Sequence, residues 1–71
     1  MLTHEVAQRA EHLLSQYTCA RQSQANLCER AERARKPGTR DELNRAAVLQ
    51  YERAVGFRAA LFELTGITVG F

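Results

Sequence analysis

Apolar residues recur along this chain at spacings that alternate between three and four. The first row runs Val6, Ala10, Leu13, Tyr17, Ala20, Gln24, Leu27, Ala31 and Ala34; the second runs Leu43, Ala47, Gln50, Ala54, Phe57, Leu61 and Leu64. This alternation keeps one face of a helix turned toward a neighbour, as in a coiled-coil seam. It predicts an all-α chain, an antiparallel two-helix hairpin with helices over about 3–36 and 39–65. Folding at Pro37-Gly38 sets Ala34 against Leu43, Ala20 against Phe57, Tyr17 against Leu61 and Leu13 against Leu64. Gln24 and Gln50 fall in neighbouring layers, where a bond between them would fix the register at some cost in stability.

The reversal is written in "RKPGTRDEL", residues 35–43. Pro37 disfavours helical geometry at Lys36, Gly38 offers a flexible pivot, and Arg35 and Lys36 suit a helix C-terminus. Thr39 and Glu42 then read as a reciprocal capping box opening the second helix. At the outer ends, Thr3 is the expected N-cap and Gly66 the left-handed C-cap, with Ile67 folding back onto Phe62 in a Schellman ending. Residues 67–71 form a short tail, and Val69 and Phe71 imply that it lies on something apolar. The pairs Glu5–Arg9, Glu29–Arg33 and Asp41–Arg45 add i,i+4 support, about 0.2–0.5 kcal/mol each. With no repeat or composition shift, the whole of 1–71 reads as one domain.

One stripe is left over once the seam is assigned. Val48, Val55 and Phe62 recur every seven residues within "AAVLQYERAVGFRAALFEL" and lie roughly 130° around the helix from the seam. Tyr51 stands on the shoulder between stripe and seam. The bordering shoulder of the first helix carries Leu14, Arg21 and Cys28, in a register that puts Cys28 beside Tyr51 and Arg21 beside Arg58. These eight residues form one broad, largely apolar face, the expected site for a protein partner. Covering Val48, Tyr51, Val55 and Phe62 would contribute roughly 5–8 kcal/mol before association costs. Gly56 and Ala60 make a small-xxx-small pair that could admit a second close backbone, or Gly56 is a tolerated weak spot costing about 1 kcal/mol.

Composition narrows the classes. At 71 residues, core burial alone gives marginal stability, so an uncovered apolar face matters more than it would in a larger domain. A net charge of +2, with arginines interspersed among glutamates, argues against a nucleic-acid footprint. No apolar run reaches membrane-spanning length, and the N-terminal stretch lacks the layout of a secretory signal, so a cytoplasmic protein is expected. Cys19 and Cys28 lie on one helix, about 13 Å apart along its axis and pointing to opposite sides, too far to bridge each other. They are expected to be reduced and partly buried. His4 and His12 do not have metal-clamp spacing, His12 and Cys19 are too distant axially for a shared metal or thiolate–imidazole pair, and no phosphate-cradling loop appears. The expectation is a non-enzymatic chain with no cofactor and another protein chain as its partner.

The segment "YERAVGF", Tyr51 to Phe57, resembles the second helix of the small helical-hairpin co-chaperones that hold the needle subunit of type III secretion systems. In that family an aromatic or Leu precedes Glu, two small or polar residues, an aliphatic, a small residue and another apolar one. The similarity spans mostly residues 37–66 and includes a helix ending at a Gly shortly after the motif. It implies a cytoplasmic bacterial co-chaperone whose second helix docks on a helical-repeat chaperone and keeps a self-polymerising needle subunit soluble. Val48, Tyr51, Val55 and Phe62 would carry the docking by position. The rival expectation is a self-associating phage- or plasmid-type regulator or inhibitor, a dimeric four-helix bundle. A two-fold axis would gather more positive charge around Arg21 and Arg58, which weighs against a homodimer centred on them.

Overall fold

A computed structural model describes residues 3–69. It contains two α-helices, α1 (His4–Arg33) and α2 (Pro37–Thr65), packed antiparallel into a rod of 52 × 15 × 14 Å. The outer caps form where the side chains predict them. The Thr3 hydroxyl accepts from the Val6 amide at 3.2 Å, satisfying one donor that the first turn would leave open. Gly66 adopts φ 74°, and its amide donates to the Phe62 carbonyl at 2.7 Å. The ending is nevertheless the simpler left-handed motif and not the Schellman one: the Ile67 amide turns to the Thr65 hydroxyl at 3.1 Å. Ile67 consequently stands beside Leu61 and Leu14 instead of folding onto Phe62.

The inner ends correct the sequence-based boundaries. Helix α1 stops at Arg33, and the reversal is made by Ala34, Arg35 and Lys36, with Ala34 (φ −70°, ψ 129°) and Lys36 (φ −89°, ψ 126°) both extended. Pro37 is the cause. It forces the preceding residue out of helical geometry, and its own fixed φ suits the first helical position, where its missing amide costs nothing. Gly38 is therefore not the pivot; it lies inside the first turn of α2, and Gly66 is the sole glycine with positive φ among the described residues. The capping box does not form either, because Thr39 is already helical and the N-cap, Lys36, makes no side-chain cap bond. Arg40 takes over part of that work. Its guanidinium reaches back across the loop and donates to the Ala34 carbonyl at 3.0 Å, so α2 caps the end of α1.

All sixteen seam residues read from the sequence are buried or half-buried. The fully buried ones are Tyr17, Ala20, Ala31, Ala47, Ala54 and Leu61. Four of those six are alanines, so the helices approach closely and little large side-chain volume is sealed inside. The earlier reversal also moves the register. Ala54 joins Tyr17 and Ala20 in the central cluster with Phe57 packed against it, while Leu61 shares a notch with Ala10 and Leu14. Ala10, Tyr17 and Ala20 thus meet α2 nearer the loop than a fold at Pro37-Gly38 would give. Leu13 and Leu64 still line a common groove.

Polar supports are sparse. Gln24 accepts from Arg21 within α1 at 2.6 Å, in place of the expected bond to Gln50. Of the three anticipated i,i+4 ion pairs, Glu29–Arg33 closes at 2.7 Å; being exposed, it contributes only a few tenths of a kcal/mol. The tail follows its apolar pattern as far as Val69, which packs against the Tyr17–Ala20–Ala54 cluster. The expectation for Phe71 lies outside the described residues.

Candidate docking face

The stripe left over by the seam is on the surface. Val48 is 55% exposed, Tyr51 43%, Val55 41% and Phe62 53%, and Leu14 of α1 is 45% exposed on the adjoining shoulder. Val48, Val55 and Phe62 recur at seven-residue spacing, and each is out for one geometric reason. A helix in a two-helix packing has a single inward side, and that side is filled by Ala47, Ala54, Phe57 and Leu61. The described part of the tail, residues 67–69, leaves the row exposed. Thr68 borders the shallow groove between Val55, Arg58 and Phe62, while Ile67 and Val69 line the notch beside Leu14 and Leu61. The tail therefore extends the apolar surface along the open end of the hairpin.

Two exposed apolar side chains escape the heptad reading. Leu49 and Ile67 are both 60% exposed. Leu49 belongs to neither the seam nor the Val48 stripe, so no periodicity singles it out, although its adjacency to Val48 in an already apolar helix is a usable signal. Ile67 was assigned to a cap that takes a different form. Since the row side chains are about half exposed, covering four of them recovers roughly 3–6 kcal/mol, half of what full burial would give. That sum is comparable with the low end of the association cost, so binding through this face needs the additional area around it.

Cys28 is placed differently from the sequence register. Arg21 and Arg58 are half-buried, and Arg21 is tethered along its own helix by Gln24. Cys28 is exposed and lines a groove with Glu32, Arg40 and Asn44, so it stands toward the loop end and not beside Tyr51. The shift of α2 that accompanies the early reversal accounts for this. Cys19 is exposed as well; both thiols are unbridged, but neither is partly buried as expected. The fully buried part of the seam is chiefly alanine, which lets the backbones come together and leaves flanking positions outside.

The opposite shoulder is of another character. A groove of about 270 Å³ between the helices is lined there by His12, Ser15, Gln16, Cys19, Ser23, Gln50 and Arg53, with the seam residues Ala20 and Phe57 also contributing. Hydroxyls, amides and a guanidinium satisfied by water have no need of a neighbouring chain. Among the described residues no three His, Cys, Asp or Glu side chains converge on a metal-sized site, and no helix is long and apolar enough to cross a membrane. The chemistry available on the α2 face is apolar coverage flanked by guanidinium groups. No family model, curated protein or solved structure matches this chain.

Proposed function

We propose that this chain is a non-enzymatic protein-binding module that docks through the outer surface of α2. The observation that supports this reading is the Val48–Val55–Phe62 row with Tyr51, half-exposed on a hairpin whose seam is already filled. Anchors repeating at seven-residue spacing suit a helical counterpart, because a helix presents its own ridge at the same period. The similarity of "YERAVGF" to the second helix of type III secretion co-chaperones gives the partner a kind: a helical-repeat chaperone in the bacterial cytoplasm, with which this chain would keep a needle subunit soluble. An acidic residue on that partner would meet Arg21 or Arg58.

The test is co-expression of the full chain with a helical-repeat protein encoded beside it, followed by co-purification. Replacing Val55 and Phe62 together with Ser is expected to leave the helical circular-dichroism signal nearly intact and to abolish co-purification. An outright unfolding of the double variant, with a wild type that captures nothing, would make the row internal core and end the docking reading.

A further inference from the structure

We infer that, until another protein claims it, the apolar face of α2 is covered by a second copy of this chain, with the two α2 helices antiparallel about a two-fold axis at Val55. The inference rests on the docking reading above and supplies a definite occupant for the same face. The first observation is area. The chain exposes 5451 Å², whereas a globular chain of 8.0 kDa exposes about 4,450 Å², an excess of about 1,000 Å². A standard interface buries about 800 Å² on each partner. One copy seated on the face would therefore remove most of the surplus.

The second observation is symmetry. Val48 and Phe62 lie seven residues on either side of Val55. An antiparallel mate centred there sets Val48 against Phe62 twice and Val55 against itself, small opposite large at both outer layers. This is the self-complementarity that an isologous contact requires. The Arg58 pair does not forbid it. Moving the axis to Val55 leaves the two Arg58 side chains six residues apart along it, about 9 Å, close to the screening length of about 8 Å at physiological salt. In that arrangement Arg58 comes across from Tyr51 of the second copy, a geometry that favours a guanidinium over an aromatic ring. Because the face is shared, self-association and docking on another protein exclude each other, and a weak dimer would keep the row out of water without blocking exchange.

The test uses the full chain with Cys19→Ser and Cys28→Ser, two exposed positions, as the background. Sedimentation from micromolar to millimolar concentration is expected to show a monomer–dimer equilibrium. Under mild oxidation Val55→Cys is expected to link to itself, because only at the axis do identical residues approach within the ~7 Å that a disulfide spans. Val48→Cys alone and Phe62→Cys alone should stay unlinked, and their mixture should cross-link. Val55→Glu is expected to weaken self-association by about a hundredfold or more, since two carboxylates would be placed face to face, with the helical signal unchanged. A wild type that stays monomeric throughout overturns the inference. So does a dimer that Val55→Glu leaves untouched, or one that links through Ser23→Cys on the polar shoulder. None of these outcomes touches the co-purification result with Val55→Ser and Phe62→Ser, which judges the docking reading separately.

Discussion

The two shoulders of this hairpin flank the same seam and are built from helices of nearly equal length, yet one is wet and the other is not. On the wet side the groove walls are mostly polar, Ser15, Gln16, Ser23, Gln50 and Arg53, with Ala20 and Phe57 of the seam also lining it. On the other side Leu14, Tyr51, Val55 and Phe62 stand half in water. A coiled-coil pair treats its two flanks alike, so the zipper itself cannot account for the difference. Nor can folding of the single chain, because the described residues seal neither flank. What separates them is the neighbour that each requires: water suffices on one side, and a second apolar surface is needed on the other. The contrast is more informative than the exposed residues alone, since scattered surface apolar side chains are ordinary. Here, Leu49 apart, they are segregated to one flank.

The largest expected effect comes from two adjacent residues that lie on opposite sides of this boundary. Leu61, buried in the seam, should cost about 2–5 kcal/mol when cut to Ala, enough to unfold much of so small a domain in a thermal melt. Phe62→Ala, one residue on, should shift stability by no more than about 0.5 kcal/mol, as for an ordinary surface change. Equal losses would show that the apolar flank belongs to the monomer's core, and the contrast between the shoulders would be gone.

Backbone changes sharpen the same picture at smaller magnitude. Gly66→Ala must hold φ 74° with a side chain present and should cost about 1–2 kcal/mol by chemical denaturation, loosening the tail that borders the apolar flank. Gly56→Ala goes the other way. Nothing lies within 4 Å of a methyl group built there, so the hairpin should gain about 1 kcal/mol of stability. If a partner backbone approaches α2 at Gly56, the same variant binds more weakly while melting higher. The smallest effects belong to the wet shoulder. Ser23→Ala and Cys19→Ser should each move stability by less than about 0.5 kcal/mol and leave any association unchanged. A loss of binding there would reverse the assignment of the two sides.

The seam and the caps at Thr3 and Gly66 were legible in the sequence because both are local. Apolar spacing is a property of one helix, and a hydroxyl or a glycine at a helix end acts on amides within one turn. The loop was half legible. Pro37 carries two signals, to stop the preceding residue and to begin a helix, and "KPG" does not say which of them places the boundary. Reading it as a stop put the pivot at Gly38 and the cap at Thr39. The structure makes Pro37 the first residue of α2, and the partners assigned across the seam shift accordingly. Cys28 moved away from Tyr51 for that reason, whereas Val48, Val55 and Phe62 kept their place, since a stripe on one helix is indifferent to how that helix slides along its neighbour.

The order of residues alone determined that there would be two helices, which face of each would turn inward, and that α2 would carry more apolar surface than one inward side can accept. Those are consequences of a 3.6-residue turn and of how many large side chains the chain contains. Tertiary structure decided the rest: the axial offset between the helices, the bond from Arg40 that closes the loop, the run of the tail past Leu14, and the sorting of the flanks into a polar groove and an apolar wall. These depend on where two rods touch, and that contact is set by the alanine-lined seam and a three-residue connection, which periodicity along either rod does not encode.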